Sequence, residues 1–319
     1  MLPVLAVTLG DPAGIGPEIA CKAVSAAEVL ACCRPVVVGS RVVLEAVAQR
    51  LGLVVPERIV DVVPPGFRLE ELVPGRISAL AGACAAVAIE EAIAGTRARR
   101  YAAVVTNPIS KAAIQAAGVP FPGHTEWLAA RCRVQGEIML MYHEHLAVAL
   151  ATCHQSLASV PATLTPERIV ATARLLHDAL LRIRGRRPRL AVCGFNPHAG
   201  EGGMFGDEDQ RLVVPAVAEL RRGGLDCDGP LPPDTAFTPA NRQRYDGVVA
   251  LYHDQGLIAF KALFFDTGVN VTLGLPIIRT SVDHGTAFDL AWQGTAQHHS
   301  LVAAIILAAR LTALPGASS

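Results

Sequence analysis

Three histidines of the sequence each lie at or just after the end of an apolar run; they are His154, His198 and His253. Because the carboxyl ends of parallel strands meet at one edge of a sheet, we expect these histidines to lie close together. Three neutral imidazoles with an open coordination position are typical of a catalytic divalent-metal site, in which Asp254 or Asp234 could orient a ligand. The spacing alone leaves a second interpretation open, in which these are histidines that make ordinary hydrogen bonds.

Dense polar segments occur where other strands are expected to end; they are GDPAGIGPE at residues 10–18, TNPISK at 106–111 and GHTE at 123–126. Ligands of open α/β sheets bind beyond the carboxyl ends of strands. The first segment has three glycines before a helix, so its backbone N–H groups can approach an anion, although a simple tight turn remains the alternative. Arg279 is placed beside apolar strand residues, where a guanidinium needs an anionic partner or full solvation, and this favours a phosphorylated or carboxylated substrate.

Short β-branched runs alternate with longer helical patterns along the chain. Strands are predicted at 4–9, 35–38, 104–106, 146–152 and 190–193, and helices at 17–33, 42–51, 110–117, 166–184 and 207–222. This alternation indicates an α/β fold with a mainly parallel sheet covered by helices on both faces. The helix at 166–184 has the clearest ends, with Thr165 as its N-terminal cap and Pro166 in its first turn.

The composition excludes several classes of function. The 319 residues include 28 Lys and Arg against 28 Asp and Glu, and this zero net charge disfavours binding to nucleic acid through a basic face. No stretch of about 18 uncharged apolar residues occurs and the N-terminus lacks a basic leader, so we expect a cytoplasmic protein without a membrane span. The eight cysteines form no C-x-x-C pair, which favours packing roles, and residues 315–319 are expected to be a frayed tail.

Seven segments spread over nearly the whole chain resemble, in their order, the 4-hydroxythreonine-4-phosphate dehydrogenase family; they are GDPAGIGPE, TNPISK, GHTE, CGFNPHAGEGG, GPLPPDT, YHDQGLIAFK and GVNVTLGLPIIRTSVDHGTAFDLA. The resemblance implies a homodimer with a two-lobed α/β fold of parallel or mixed sheets, similar to isocitrate and isopropylmalate dehydrogenases. One lobe would comprise residues 1–130 and 265–319, and the other residues 131–264. The active site would lie in the cleft between the lobes at the dimer interface.

The resemblance also implies a reaction and the residues that perform it. The reaction is NAD-dependent oxidation of 4-phosphooxy-L-threonine to 2-amino-3-oxo-4-phosphooxybutanoate, which decarboxylates to 3-amino-2-oxopropyl phosphate. The metal ligands would be His154, His198 and His253 from both subunits, holding one zinc, cobalt or magnesium ion. The substrate contacts would be His124, Thr125, Lys261, Asn270 and Arg279. Neither the residues nor the resemblance identify the general base, for which Asp234, Asp254 and Lys111 are candidates.

The segment HGTAFD at residues 284–289 is similar to the loop that contacts the adenosine ribose in isocitrate and isopropylmalate dehydrogenases. The resemblance makes His284, Gly285 and Asp289 the cofactor contacts. A carboxylate accepts hydrogen bonds from the free 2′-hydroxyl of NAD and repels the 2′-phosphate of NADP, so Asp289 predicts NAD. Trp292 stands where the family usually has glycine and could change the backbone of this loop; Asp289 would then only decorate a helical turn.

Three other functions remain open at this point. Related dehydrogenases of the same architecture act on 4-phosphorylated threonate or erythronate, or on aromatic cis-dihydrodiols. The GHTE segment and the context of Asn270 and Arg279 favour a phosphorylated substrate over a dihydrodiol, but they do not separate the amino acid from its deaminated analogue. A non-catalytic metabolite-binding protein is the most distant alternative, and the presence of all three histidines argues against it.

Overall fold

A computed structural model describes residues 1–312 of the chain, so the tail expected at 315–319 lies outside the described residues. Its strands are β1 (Val4–Thr8), β2 (Arg34–Gly39), β3 (Ile59–Asp61), β4 (Ala103–Thr106), β5 (Ile138–His143), β6 (Leu146–Leu150), β7 (Leu190–Cys193), β8 (Cys227–Leu231), β9 (Gly247–Ala250), β10 (Val269–Leu273) and β11 (Ile278–Val282). Each predicted strand has an observed counterpart within two residues of its expected ends. The α/β fold class is confirmed.

The helices are α1 (Gly16–Val24), α2 (Ala27–Cys32), α3 (Arg41–Leu51), α4 (Ala79–Arg97), α5 (Lys111–Ala116), α6 (His124–Cys132), α7 (Val160–Thr163), α8 (Pro166–Arg184), α9 (Val214–Arg222), α10 (Pro233–Ala236), α11 (Pro239–Arg244), α12 (His253–Phe264) and α13 (His299–Thr312). The helix expected at 17–33 is two helices, because Ala26 has an extended backbone that ends the first and caps the second. The helix expected at 207–222 begins as a π-helical turn, Asp209–Val213, before Pro215. Proline has no N–H for the regular α-helical bond to the preceding turn.

The chain forms two compact units. The first unit comprises Met1–Glu137 and the chain from Leu275 onward, and the second unit is Ile138–Gly274. The expected lobe boundaries placed residues 265–319 in the first lobe, whereas β10 belongs to the second unit here.

The first unit contains a five-stranded parallel sheet in the order β3, β2, β1, β4 and β11. Its central strand pairs Thr8 with Thr106 of β4, so polar residues that follow these two strands emerge side by side. By length and composition alone, α4 is apolar enough to cross a membrane, a criterion that core helices also meet. In this unit α4 packs against α5, β1 and β2.

The second unit contains a six-stranded mixed sheet in the order β10, β5, β6, β9, β7 and β8. The pairs β10–β5 and β5–β6 are antiparallel, and the remaining neighbours are parallel. Its core packs Phe260 of α12 against Met141, Val148 and Ala250 of the sheet. Because β6 pairs with β9 and β9 pairs with β7, all in parallel, the segments that follow these three strands leave the same edge of the sheet.

The cysteines behave as small apolar residues, in line with the sequence-based interpretation. All eight are free thiols, and five of them are buried. Burial raises the pKa of Cys84 and of Cys193 to about 12, which leaves both as thiols at neutral pH.

Candidate functional site

Arg279 provides a buried cation in the first unit. It lies on β11 with 3% of its surface exposed, and its Nε and one terminal nitrogen donate to Oγ1 of Thr106 at 3.1 and 2.8 Å. Burial lowers the pKa of Arg279 to about 10, while the negative charge of Glu126 acts in the opposite direction. The guanidinium therefore stays charged at neutral pH. Such a group is suited to binding a phosphate or carboxylate.

His124 lies at the start of α6, close enough to Arg279 for the guanidinium charge to disfavour protonation of its ring. Its pKa is lowered well below 6.5, first by burial and then by the positive charge of Arg279. Nε2 of His124 is buried without a hydrogen-bond partner among residues 1–312, so a neutral ring nitrogen is left for a ligand. Thr125 is the next residue and is half-buried. The structure thus places His124, Thr125 and Arg279 in one unit, and His124 within electrostatic range of Arg279.

The glycine-rich turn after β1 brings two further polar residues to this edge of the sheet. Gly10 has φ +73°, and a Cβ there would lie 2.5 Å from the carbonyl oxygen of Pro108, so only glycine allows this close approach. Asp11 is 1% exposed and accepts a bond from the N–H of Ala13 at 2.9 Å. Asn107, on the adjacent β4 end, is fully buried.

Three polar atoms of these two side chains have no hydrogen-bond partner in the described part of the chain: Oδ2 of Asp11 and both amide atoms of Asn107. Burial raises the pKa of Asp11 to about 6, against the stabilising N–H groups of Ala13 and Ser110. Sequence reasoning selected the two segments but neither of these residues. Their polar type within glycine- and proline-rich turns was the available signal, whereas their complete burial depends on packing between distant segments.

The predicted cofactor loop follows β11 in the first unit. Nδ1 of His284 lies 3.1 Å from the carbonyl oxygen of Gly285, and Nε2 of the same ring is buried with no partner among residues 1–312. A Cβ at Gly285 would meet nothing within 4 Å, so this position is open to a ligand. Asp289 lies in the short 3₁₀ helix Phe288–Leu290 with an exposed side chain. Trp292 is buried.

Two of the three predicted metal ligands meet in the second unit. His154 follows β6, His253 begins α12 after β9, and their ring centres are 5.7 Å apart. They line an open cavity of about 530 Å³ together with Tyr252 and Asp254. Two imidazoles on one tetrahedral ion have ring centres about 5 Å apart, so this pair fits joint ligation of a metal. Nδ1 of His253 lies 2.7 Å from a carboxylate oxygen of Asp254, which orients the ring so that Nε2 can bind a metal.

His198 is not brought to this pair. It lies in the irregular turn Pro197–Gly203, where five consecutive residues, 198 to 202, have left-handed backbone angles. Its Nδ1 lies 3.3 Å from a carboxylate oxygen of Glu201, and the ring is exposed. Within residues 1–312 no cluster of three or more His, Cys, Asp or Glu is placed to hold a metal ion. The expectation that all three histidines lie close together is therefore not met within one chain.

A buried aspartate that sequence reasoning did not select shapes this turn. Asp209 is 1% exposed and accepts the backbone N–H groups of Phe195 and Asn196 at 2.7 and 2.9 Å. Its place in the π-helical turn, 13 residues beyond Asn196, gives no local signal of this contact.

The remaining predicted residues are distributed over both units. Asn270 lies on β10, and its Oδ1 is buried with no hydrogen-bond partner in the described part of the chain. Lys261 lies on α12, half-buried, with its Nζ 5.8 Å from the ring centre of Phe265. Among the candidate bases, Asp254 is engaged by His253, whereas Lys111 and Asp234 have exposed side chains.

Comparisons with known proteins agree with the resemblance seen in the sequence. The family model described as pyridoxal phosphate biosynthetic protein PdxA matches residues 31–308. A 4-hydroxythreonine-4-phosphate dehydrogenase of Xanthobacter autotrophicus is 46% identical over 96% of this chain and 93% of its own. A D-threonate 4-phosphate dehydrogenase of Cupriavidus necator is 42% identical, covering 97% of each chain.

Solved structures show the same likeness. A crystal structure of 4-hydroxythreonine-4-phosphate dehydrogenase from Klebsiella pneumoniae aligns with a TM-score of 0.85 and 41% identity over 98% of both chains. A β-decarboxylating dehydrogenase from Thermococcus kodakarensis, 17% identical over 97% of this chain and 82% of its own, shares the fold with a TM-score of 0.50. The family match over most of the chain, the identity to its members and this structural agreement lead to one conclusion: the chain belongs to the PdxA family of pyridoxal phosphate biosynthetic proteins.

Proposed function

We propose that this protein is an NAD-dependent and divalent-metal-dependent oxidoreductase that acts on 4-phosphooxy-L-threonine. Carbon C3 gives its hydrogen as hydride to NAD⁺ while the C3 hydroxyl gives its proton to a base, which yields 2-amino-3-oxo-4-phosphooxybutanoate and NADH. Loss of carbon dioxide then yields 3-amino-2-oxopropyl phosphate, the type of product that vitamin B6 biosynthesis requires. The names of the relatives support the substrate and the reaction.

The observation that carries this proposal is the buried cation of Arg279. The planar guanidinium of Arg279 is suited to binding an organic phosphate, and the neutral ring of His124 and the hydroxyl of Thr125 would add hydrogen bonds to it. We propose that Lys261 and Asn270 also contact the substrate. An aromatic cis-dihydrodiol carries no phosphate for Arg279, so this alternative is disfavoured.

We propose that a divalent ion is held by His154, His198 and His253, three imidazoles that suit such an ion; among residues 1–312, His154 and His253 meet and His198 does not join them. When bound, such an ion supplies Lewis-acid polarisation of the substrate oxygen during oxidation and decarboxylation. The contribution of Asp254 is to hold His253 in the ring orientation that presents Nε2. Lys111 and Asp234 remain the candidates for accepting the hydroxyl proton, because the Asp254 carboxylate already contacts His253.

We propose that a second copy of the chain completes the site. Three apolar side chains that follow His154 or His253 in the sequence are exposed; they are Leu157 (64% exposed), Ile258 (69%) and Phe265 (62%). Surface apolar groups of this size are typical of a subunit interface. Closure by a second copy would also supply the third imidazole that the pair lacks. The cytoplasmic location stays a prediction.

Pairwise mixing of inactive variants tests the shared site. If His198 comes from the partner, a heterodimer of His198→Ala with His253→Ala has one site with both lesions and one intact site, so part of the activity returns. A mixture of His154→Ala with His253→Ala should stay inactive, because these two rings meet within one chain. Full activity of a monomer at assay concentration would overturn the proposal.

The substrate is tested by steady-state assays of purified protein with NAD and Zn²⁺, Co²⁺ or Mg²⁺. We expect 4-phosphooxy-L-threonine to give the highest kcat/KM, with release of carbon dioxide. No turnover of any phosphorylated substrate, with the metal content verified, would contradict the proposed activity.

A second candidate is oxidation of D-threonate 4-phosphate. A relative of that name is 42% identical to this chain, close to the 46% of the relative named for the amino acid substrate, so overall identity does not decide between them. The two substrates share the phosphate and differ at the amino group. A higher kcat/KM for D-threonate 4-phosphate in the same assay would establish this alternative.

A further inference from the structure

We infer that Trp292 is a positioning residue that holds the predicted cofactor loop, residues 284–291, against the glycine-rich turn that follows β1. The inference rests on the proposed role of this loop in binding NAD. It concerns how the loop is fixed before the cofactor arrives.

The indole ring ties two distant segments of the chain together. Trp292 is 6% exposed, and its Nε1 donates to the carbonyl oxygen of Pro12 at 3.0 Å. At the other end of the loop, the N–H of Ile15 donates to the carbonyl oxygen of Thr286 at 3.0 Å. The turn at residues 12–15 therefore contacts the loop both before and after Asp289.

The backbone of the loop is held in an unfavourable conformation at two positions. Trp292 has φ +59° and Ala287 has φ +41°, backbone angles that residues other than glycine adopt at an energetic cost. Such angles persist only where the surrounding contacts impose them. The two positions flank the 3₁₀ helix that carries Asp289, so the contacts that impose them also set the course of this helix.

A third attachment follows immediately after Trp292. The fully buried carboxylate of Glu18 accepts the N–H groups of Gly294 and Ala296 at 3.0 and 2.9 Å. Lys22 pairs with Glu18 at 2.7 Å and donates to the carbonyl oxygens of the same two residues. Glu18 and Lys22 thus hold residues 294–296 without any contribution from Trp292. A substitution of Trp292 should therefore change the loop while the segment that follows it stays in place.

This arrangement pre-organises the exposed carboxylate of Asp289. A ligand that binds an already ordered loop does not have to order it, and its affinity is higher for that reason. The indole contact should therefore act on binding of the cofactor and leave binding of the phosphorylated substrate and the chemical step unchanged.

The test compares Trp292→Phe and Trp292→Gly with the wild type. Phenylalanine keeps an aromatic ring and the backbone strain but leaves the Pro12 carbonyl without its donor, whereas glycine removes the ring and the strain. Arg99→Gly is the matched control, because Arg99 has φ +61° on an exposed turn away from the loop. Affinity for NAD is measured by calorimetry on the metal-free protein, and exchange of the amide hydrogens of residues 285–290 by mass spectrometry.

Loss of one buried hydrogen bond predicts that both Trp292 variants bind NAD about tenfold more weakly and exchange these amides faster. The KM for NAD should rise in parallel, while kcat, the KM for the phosphorylated substrate and every property of Arg99→Gly stay at wild-type values. Wild-type affinity in Trp292→Phe would overturn the inference, since the ring would then only fill space. A wild-type protein that binds no NAD would instead contradict the proposed function.

Discussion

The two units present their polar side chains in opposite ways. In the first unit Arg279, Asp11 and Asn107 are almost completely buried and belong to strands or to turns directly after them. In the second unit His154 and His198 are exposed and lie in irregular segments. Charges removed from water interact strongly with a ligand, so the proposed phosphate contacts of the first unit should each have a large effect on substrate binding. Among residues 1–312 no cluster of three or more metal-ligating side chains forms, so the proposed metal site requires a contribution from a second copy of the chain.

The largest effect should come from the exposed histidines, because the proposed chemistry depends on them. His198→Ala should lower kcat/KM by about 10³-fold or more, since it removes a ligand of an ion that contributes several kcal/mol to the transition state. The melting temperature should hardly change, because this side chain is exposed. Kinetics, metal analysis and thermal melts of the pure variant measure these quantities.

A matched control is His145→Ala, which removes another exposed histidine of the second unit. It should keep the metal content and activity of the wild type. If His198→Ala does the same, His198 is not a metal ligand.

The buried cation of the first unit should give the next largest effect. Arg279→Lys keeps the charge but loses the planar fork that donates twice to Thr106. Because a hydrogen bond to a charged group contributes about 1.5–3 kcal/mol, the KM for the phosphorylated substrate should rise about tenfold to hundredfold. The exposed Arg131→Lys is the control and should leave this KM unchanged. If the two variants have equal kinetics, Arg279 does not bind the phosphate of the substrate.

Asp11 tests whether the buried polar groups of the first unit lower the free energy of unfolding. Its pKa is raised from 3.8 to about 6, so the folded protein binds the proton more tightly than the unfolded chain does. Its contribution to stability is therefore greatest below pH 4 and is lost as the pH rises toward 6.

Asp11→Asn should remove this loss, because a neutral amide replaces the buried carboxylate. Above pH 6 the free energy of unfolding should rise by about 1–2 kcal/mol, less than the full electrostatic cost because the new amide nitrogen is itself unpartnered. The difference from the wild type should vanish near pH 4. Urea unfolding at pH 4, 5, 6 and 7.5 measures it, and a constant difference at all four pH values would show that ionisation of Asp11 is not its cause.

Local signals determined what could be predicted from the sequence. The helix Pro166–Arg184 has its expected ends because Thr165 accepts the N–H of Arg168 and Gly185 adopts the left-handed conformation that terminates it. The order β6, β9, β7, which carries the three histidine segments to one sheet edge, follows the expected parallel arrangement.

Features that depend on distant contacts were not predictable in this way. Asp209 holds the backbone just before the left-handed run at 198–202, and the indole of Trp292 donates to Pro12, which is 280 positions away in the sequence. The sequence indicated that Trp292 departs from the family pattern but gave no partner for it. The burial of Asn107 likewise results from packing between segments whose approach no short pattern encodes.

The smallest expected effect belongs to Asp289, whose side chain is exposed among the predicted cofactor contacts. Its carboxylate would accept the ribose 2′-hydroxyl of NAD and repel the 2′-phosphate of NADP. Because the side chain is exposed, water and salt screen this discrimination, and it should be weaker than recognition by the buried Arg279. Asp289→Lys should therefore shift the ratio of kcat/KM for NAD over NADP by about tenfold toward NADP, with an unchanged melting temperature.

Asp266→Lys, at another exposed aspartate, controls for the added charge. The shift should shrink as the salt concentration rises, whereas the effect of Arg279→Lys should respond less to salt. A wild type that prefers NADP, or an equal shift in both lysine variants, would show that Asp289 does not read the 2′ position.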